Sequence, residues 1–195
     1  MNRVFENTEG TAYLDKGVFT NDDKLLENCI SDVEPQLIER PEFILFGKVC
    51  RQQRFVGFFS NISDGYKYSR KSMESNPLSK SMTELLSIVN KMMGAQFNGI
   101  LVNKYSNGND YISAHSDDEG SLDQKAGVVF ISYGTERIFR IRNKDDKKIV
   151  FNESTTHCSI MHMGGEFQKL YTHEIPIQKK IKTARISFTF RKHMI

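Results

Sequence analysis

Hydrophobic positions follow two different periods along this chain. Between Ser79 and Met93, Leu78, Met82, Leu85, Leu86, Val89 and Met92 recur three and four residues apart. That spacing predicts a helix with one buried stripe, which Ser79 or Ser81 can cap. From Phe43 onward the remaining apolar residues come in short runs or alternate with polar ones, as strands do. They predict strands over 43–46, 55–59 and 66–69. After Gly94 the pattern predicts strands over 97–105, 112–116, 127–132, 137–142, 148–151, 159–163, 171–175 and 185–190. Turns are expected at 63–65, at Asn107-Gly108, over 143–146 and at Gly164-Gly165. About eight short strands behind one helix predict an α+β chain whose core is two packed antiparallel sheets, a jelly roll with helical support. Residues 1–40 are polar and mildly acidic, and Pro35 and Pro41 punctuate their exit. They read as a peripheral N-terminal arm. In it Leu25, Leu26 and Ile30 would form a turn or two of helix behind a cap at Thr20-Asn21. The main domain then runs over 41–195.

Composition narrows the class. The chain has 195 residues, 38% of them hydrophobic and 26% charged, which suits one soluble domain. No apolar run approaches the length that crosses a bilayer, and Met1-Asn2-Arg3-Val4-Phe5-Glu6 lacks a secretory apolar segment. Cys29, Cys50 and Cys158 are odd in number and scattered. They read as reduced thiols of an intracellular protein, in nucleus or cytoplasm. The net charge of +3 is too mild to indicate a polyanion partner. Any such partner would have to use local clusters, Lys67/Arg70/Lys71 and Lys179/Lys180/Lys182.

The chemistry concentrates around His115-Ser116-Asp117. Side chains two residues apart on an extended chain leave the same face, so this imidazole and carboxylate can close on one metal ion. A third ligand would come from His157, His162, His173 or His193. His173 is favoured because it precedes the last strand, while His162, between Met161 and Met163, remains a competitor. Two His and one carboxylate with open positions is the arrangement of Fe(II) sites that activate oxygen. In the last strand, period two puts Arg185, Ser187, Thr189 and Arg191 on one face and Ile186, Phe188 and Phe190 on the other. In water that polar face would mark an edge strand. Inside a sandwich its guanidinium groups require an anion. Their Cα atoms would lie roughly 20 Å apart, which leaves room for a short dicarboxylate between the side chains. Asn103 and Tyr105 share one face of another strand and can hydrogen-bond such an anion.

The set Asn103-x-Tyr105, His115-x-Asp117, His173 and Arg185-x-x-x-Thr189-x-Arg191 resembles the AlkB family of Fe(II)- and 2-oxoglutarate-dependent dioxygenases, over about 43–192. The resemblance implies a double-stranded β-helix fold for residues 41–195. It implies that His115, Asp117 and His173 hold iron and act in catalysis. It further implies that Asn103, Tyr105, Arg185, Ser187, Thr189 and Arg191 bind 2-oxoglutarate, although Ser187 stands where many relatives carry Asn. The implied reaction couples decarboxylation of 2-oxoglutarate to succinate with hydroxylation of an N-methyl group by O2, and the hemiaminal then sheds formaldehyde. The implied substrates are 1-methyladenine and 3-methylcytosine in DNA, repaired by direct reversal. The partner is then double-stranded DNA, met by a monomer and without a membrane.

Leu45-Phe46-Gly47-Lys48 resembles the finger of the duplex-DNA branch, where an aromatic wedge fills the gap left by a flipped base. By the same resemblance Arg54 holds a phosphate, and Tyr66, Tyr68 and Ser69 belong to a lid over the base. Asp118 and Glu119 meet the base edge, and Lys179 and Lys180 lie against the backbone, with Gln178 where a further charge is expected. Two other readings stay open: an oxygenase acting on RNA or on a protein side chain, and a metal-binding jelly roll without catalysis.

Overall fold

Every residue of the strand at Arg185–Arg191 (β16) is buried, because both faces of the sheet that contains it are covered. Ile186, Phe188 and Phe190 face a layer of helices. Arg185, Ser187, Thr189 and Arg191 face the space between two sheets. The computed structural model describes residues 1–19, 23–45, 47–63, 65–68 and 71–194, without the side chains of 45, 66–68 and 71–73.

The larger sheet has eight strands, all paired antiparallel. In order they are β1 (Asn2–Glu6), β2 (Ala12–Val18), β14 (Ser159–Gly165), β11 (Val128–Gly134), β16, β9 (Gly99–Tyr105), β6 (Phe55–Phe59) and β3 (Ile38–Glu39). Opposite it lies a four-stranded sheet of β10 (Ile112–His115), β15 (Tyr171–Ile175), β12 (Arg137–Asn143) and β13 (Ile149–Thr155). Phe130, Met161 and Met163 of the larger sheet pack with Phe139, Ile141, Tyr171 and Ile175 of the smaller one. This is the two-sheet jelly roll that the short alternating runs predict.

The predicted helix is α2 (Lys80–Met93). Ser79 caps it by accepting a hydrogen bond from the Met82 amide, and Gly94 ends it in the left-handed region at φ +59°. Met82, Leu85 and Val89 form its buried stripe against the sheet face that carries Ile100, Val102, Phe188 and Phe190.

The first forty residues depart from the expected peripheral arm. β2 pairs along its whole length with β14, and Ala12 and Leu14 are fully buried under it. A single helix, α1 (Asp23–Val33), buries Leu26, Cys29 and Val33 beside α2. β1 and β2 therefore extend the large sheet, and α1 fills part of the core. The cap expected at Thr20-Asn21 lies outside the described residues. Gly164-Gly165 is also no turn. Both pair with β2 at the end of β14, where a Cβ on Gly164 would lie 2.3 Å from the Tyr13 ring. The chain then enters a short helix, α3 (Phe167–Leu170).

Two hairpins stand outside the sandwich as separate two-stranded sheets: β4 (Glu42–Leu45) with β5 (Lys48–Arg51), and β7 (Gly65–Tyr68) with β8 (Lys71–Glu74). Gly47, at φ +76°, supplies the left-handed conformation that the first turn needs. Ile44 and Val49 on this hairpin are solvent-exposed, Val49 by 67%. Among the described residues no helix is long and apolar enough to cross a membrane.

Candidate active site

Strand pairing brings one of the four candidate histidines to the His115/Asp117 pair. β10 and β15 pair antiparallel, and His115 sits directly across from His173, with ring centroids 4.3 Å apart. Asp117 follows just past the end of β10 and is 1% exposed. Its Oδ1 lies 3.8 Å from His115 Nε2 and its Oδ2 3.9 Å from His173 Nε2. One ligand atom from each of the three residues falls within 4.8 Å of the others. The competing histidines lie elsewhere. His162 packs edge-on against Tyr13, His157 accepts from the Gly134 amide, and neither lines this space. His193, the last of the four candidates, is buried against Phe58.

Protonation suits a cation. His115 Nδ1 lies 2.9 Å from the Ser113 carbonyl, so that nitrogen carries the proton and Nε2 presents its lone pair. Burial, and then the neighbouring His115, push the His173 pKa down to about 3. Burial alone would raise the Asp117 pKa, but Arg191 and the two imidazoles outweigh it and hold the group below its ordinary range. Two neutral imidazoles and one carboxylate are the forms that bind a divalent metal. Asp117 Oδ2 is buried without a hydrogen-bond partner, as expected of a donor set shaped for an ion.

The Asp117 backbone is held from both sides by residues that the sequence reading did not single out. Its amide donates to Gln168 Oε1 at 2.9 Å, and its carbonyl accepts from Gln124 Nε2 at 3.0 Å. Gln168 sits on α3, the short helix after the two glycines. Glutamine carries no metal or catalytic signature in a sequence, so only tertiary placement reveals these contacts.

Beside the ligand cluster the polar face of β16 lines the same cavity with β9. Pairing sets Arg185 against Tyr105 and Ser187 against Asn103. All the residues expected to bind the diacid line this space: Asn103, Tyr105, Arg185, Ser187, Thr189 and Arg191. Arg191 Nη2 donates to Asp117 Oδ1 at 2.7 Å, which ties the diacid pole to the metal pole. Arg185 Nε donates to Ser132 Oγ at 2.8 Å, and its Cζ stands 5.3 Å over the Tyr105 ring. Its Nη1 is buried with no partner, and burial lowers the guanidinium pKa to about 10. It stays charged at neutral pH and lacks an anion, the state of half a carboxylate clamp. The residues present therefore fit both iron and a dicarboxylate. Val56, Leu101, Ile112, Phe130, Phe139 and Ile175 supply apolar walls.

The expected substrate contacts divide. Arg54 lies inside the cavity, 4% exposed, with Nε donating to Asn103 Oδ1 at 2.6 Å. It is thus not on the outer surface, where a backbone phosphate would meet it. Gln52, also unforeseen, lines the cavity two residues earlier. Asp118 is exposed and paired with Lys144 at 2.8 Å, and neither it nor Glu119 lines the cavity. Lys179 and Lys180 are exposed, while Gln178 between them and β15 accepts from Arg137 Nε and the Ile138 amide. Phe46 and Ser69 lie outside the described residues, as do the side chains of Tyr66 and Tyr68, whose backbones belong to β7.

Comparison with known proteins agrees with this geometry. A family model described as the 2OG-Fe(II) oxygenase superfamily matches residues 16–191. The chain is 27% identical over 158 residues to the DNA oxidative demethylase ALKBH2 of Homo sapiens, across 77% of this chain and 60% of that protein. It is 28% identical to the ALKBH2 of Arabidopsis thaliana across 78% of this chain and 57% of that one. It is 30% identical to the alpha-ketoglutarate-dependent dioxygenase alkB homolog 3 of Bos taurus, across 72% of this chain and 52% of that protein. The chain thus spans little more than half the length of these relatives. The solved structure of OsALKBH1 superposes with a TM-score of 0.60 at 16% identity, covering 92% of this chain and 97% of that one, and so shares the fold. With the His-Asp-His cluster, the arginine-bearing strand and these matches in agreement, the chain belongs to the 2OG-Fe(II) oxygenase superfamily as an AlkB-like dioxygenase.

Proposed function

We propose that this chain is an oxidative demethylase of N-methylated nucleic-acid bases. Double-stranded DNA is its first substrate, and 1-methyladenine and 3-methylcytosine are among the lesions it reverses directly. The observation that carries the reading is the pairing that sets His115 opposite His173, with Asp117 tied to an arginine of β16. The names of the ALKBH2 proteins, DNA oxidative demethylases, support the substrate class.

In this reading His115 Nε2, Asp117 and His173 would hold Fe(II), while Arg185 and Arg191 would meet the carboxylates of 2-oxoglutarate. Asn103, Tyr105, Ser187 and Thr189 line the same space and would orient it. Bound there, Fe(II) with 2-oxoglutarate and O2 supplies the oxidation that hydroxylates an N-methyl carbon, leaving succinate, CO2, formaldehyde and the restored base. The protein's work is positional. Arg191 holds Asp117 in one rotamer between the two poles, and Ser113 fixes the His115 tautomer. Phe130, Phe139 and Ile175 keep bulk water from the ligands. A base inside a duplex cannot reach so enclosed a site, so it must leave the stack. The exposed β4–β5 hairpin would support the gap, with Phe46 as the wedge. Tyr66, Tyr68 and Ser69 would cover the base, and Lys179 and Lys180 would lie against phosphates.

Mass spectrometry of methylated oligonucleotides tests this, using single- and double-stranded DNA and RNA with enzyme, Fe(II), ascorbate and 2-oxoglutarate. The expected result is loss of a methyl group from DNA bases with formaldehyde released. Phe46→Ala should lose activity on duplex DNA and keep it on single strands. Turnover of RNA alone, or no methyl loss from any strand, would return the choice to an RNA or protein substrate.

A further inference from the structure

The loop that carries Asp117 is a partition. Asp117 lines the active-site cavity on one side, while its neighbour Asp118 lines a second cavity behind it, with Gln124, Lys144 and Gln168. On that rear side the loop is met by polar side chains, so hydrogen bonds hold it there.

Lys144, in the turn between β12 and β13, closes those bonds into a ring. Its Nζ donates to Asp118 Oδ2 at 2.8 Å and to the Gln168 carbonyl at 2.7 Å. The Gln168 side chain accepts from the Asp117 amide at 2.9 Å. The circuit thus runs from the ammonium through Asp118 to the Asp117 amide, then through the Gln168 side chain and back by the Gln168 carbonyl. The Lys144 amide also donates to the Leu170 carbonyl at 3.0 Å, which fastens the same turn to the end of α3.

Stability alone is a weak reason for this arrangement. The Lys144 and Asp118 side chains are 27% and 57% exposed, and an ion pair so open to water adds little. The charge of Lys144 also works against a cation. Behind burial and the nearer charges, the ammonium contributes to the lowering of the His173 pKa, and it would repel a bound metal ion by the same field. The ring supplies a geometric use for it.

Resting on the iron assignment within the demethylase reading, we propose that Lys144 is a positioning residue for the metal site. It does not line the active-site cavity. It acts through Asp118 and Gln168, and by closing the ring it fixes the Asp117 backbone and with it the ligand carboxylate. Charge and geometry then predict opposite signs. Lys144→Met removes the ammonium and both of its bonds. If its charge were what mattered, metal would bind more tightly. If the ring positions Asp117, metal binds about tenfold to a hundredfold more weakly, the usual effect of losing a residue that orients a ligand.

Titration with Co(II) in the absence of 2-oxoglutarate, followed by visible absorption, decides between them. Wild type is compared with Lys144→Met, Lys144→Arg, Gln168→Leu and the double variant Lys144→Met/Gln168→Leu. Lys144→Met should show the weakening, and Lys144→Arg, which can donate to both oxygens, should restore most of the affinity. Because either substitution opens the same ring, the double variant should bind about as weakly as the weaker single variant. The metal-free melting temperature of Lys144→Met should stay within about 4 °C of wild type, the scale of a solvent-exposed ion pair. Unchanged or tighter Co(II) binding by Lys144→Met, no recovery in Lys144→Arg, or losses that add in full in the double variant would each overturn the role of Lys144 and leave the iron assignment standing. A larger fall in melting temperature would do the same, by assigning the loss to folding. A wild type that binds no Co(II) overturns the iron assignment and this inference together.

Discussion

Arg185 shows how a single residue records a missing partner. It is buried with one guanidinium nitrogen unbonded, and on a strand already supplied with apolar packing such a group has no evident structural use. Arg185→Gln should raise the dissociation constant for 2-oxoglutarate about tenfold to a hundredfold, the loss expected for a charge-assisted hydrogen bond to a carboxylate. Metal affinity should be unchanged, and the ligand-free melting temperature should hold or rise, because removing a buried uncompensated charge is neutral or stabilising. Calorimetry with Mn(II) in place of iron measures both affinities, and an unchanged 2-oxoglutarate affinity would remove Arg185 from the clamp. The residue pattern was legible here. Alternation in Arg185–Arg191 separates a polar from an apolar face whatever the rest of the chain does. Whether the polar face meets water or a cavity is not contained in that alternation.

At the scale of elements, strand pairing and a short helix complete what the motif begins. His115-x-Asp117 is local and can be read directly, but His173 reaches that pair only through the pairing of β10 with β15. Four histidines were open in the sequence because period and composition do not encode which strands become neighbours. Gln168 is a sharper case. It has no motif, yet α3 brings its side chain to the Asp117 amide. Gln168→Leu leaves that buried N–H without its acceptor and frees the ligand loop, so metal affinity should fall about tenfold to a hundredfold, as is usual for residues that orient metal ligands. Titration with Co(II), followed by its visible absorption, measures the change. An affinity within twofold of wild type would show that Gln124 alone fixes the loop. The N-terminal strands were missed for a related reason. β2 buries little beyond Ala12 and Leu14, too few apolar positions for a period-two signal, and its stability comes from pairing with β14.

Across the whole molecule, both poles of the site are built from elements distant in sequence: β6, β9, β10, β15 and β16 all contribute lining residues. Ligands that bridge such elements should stabilise the fold as a unit. Saturation with Mn(II) and 2-oxoglutarate at about one hundred times the dissociation constant adds about 2.7 kcal/mol. For a chain of this size that corresponds to a rise of roughly 5–10 °C in melting temperature. A chelator should reverse it, and 2-oxoglutarate without metal should give only part of it. A melting temperature indifferent to metal would contradict a site assembled across the two sheets.

The sequence by itself determined the local periods: one amphipathic helix, a run of short strands, a two-faced last strand and a His-x-Asp ligand pair. These depend on neighbours a few residues apart, where backbone geometry alone decides which side chains share a face. Only the tertiary structure decided that His173 joins His115 and Asp117, that Gln168 and Gln124 hold Asp117, and that Arg54 lines the cavity while Asp118 does not. Those outcomes depend on which strands pair and on how burial distributes charge between the sheets, and both arise from contacts between residues far apart along the chain.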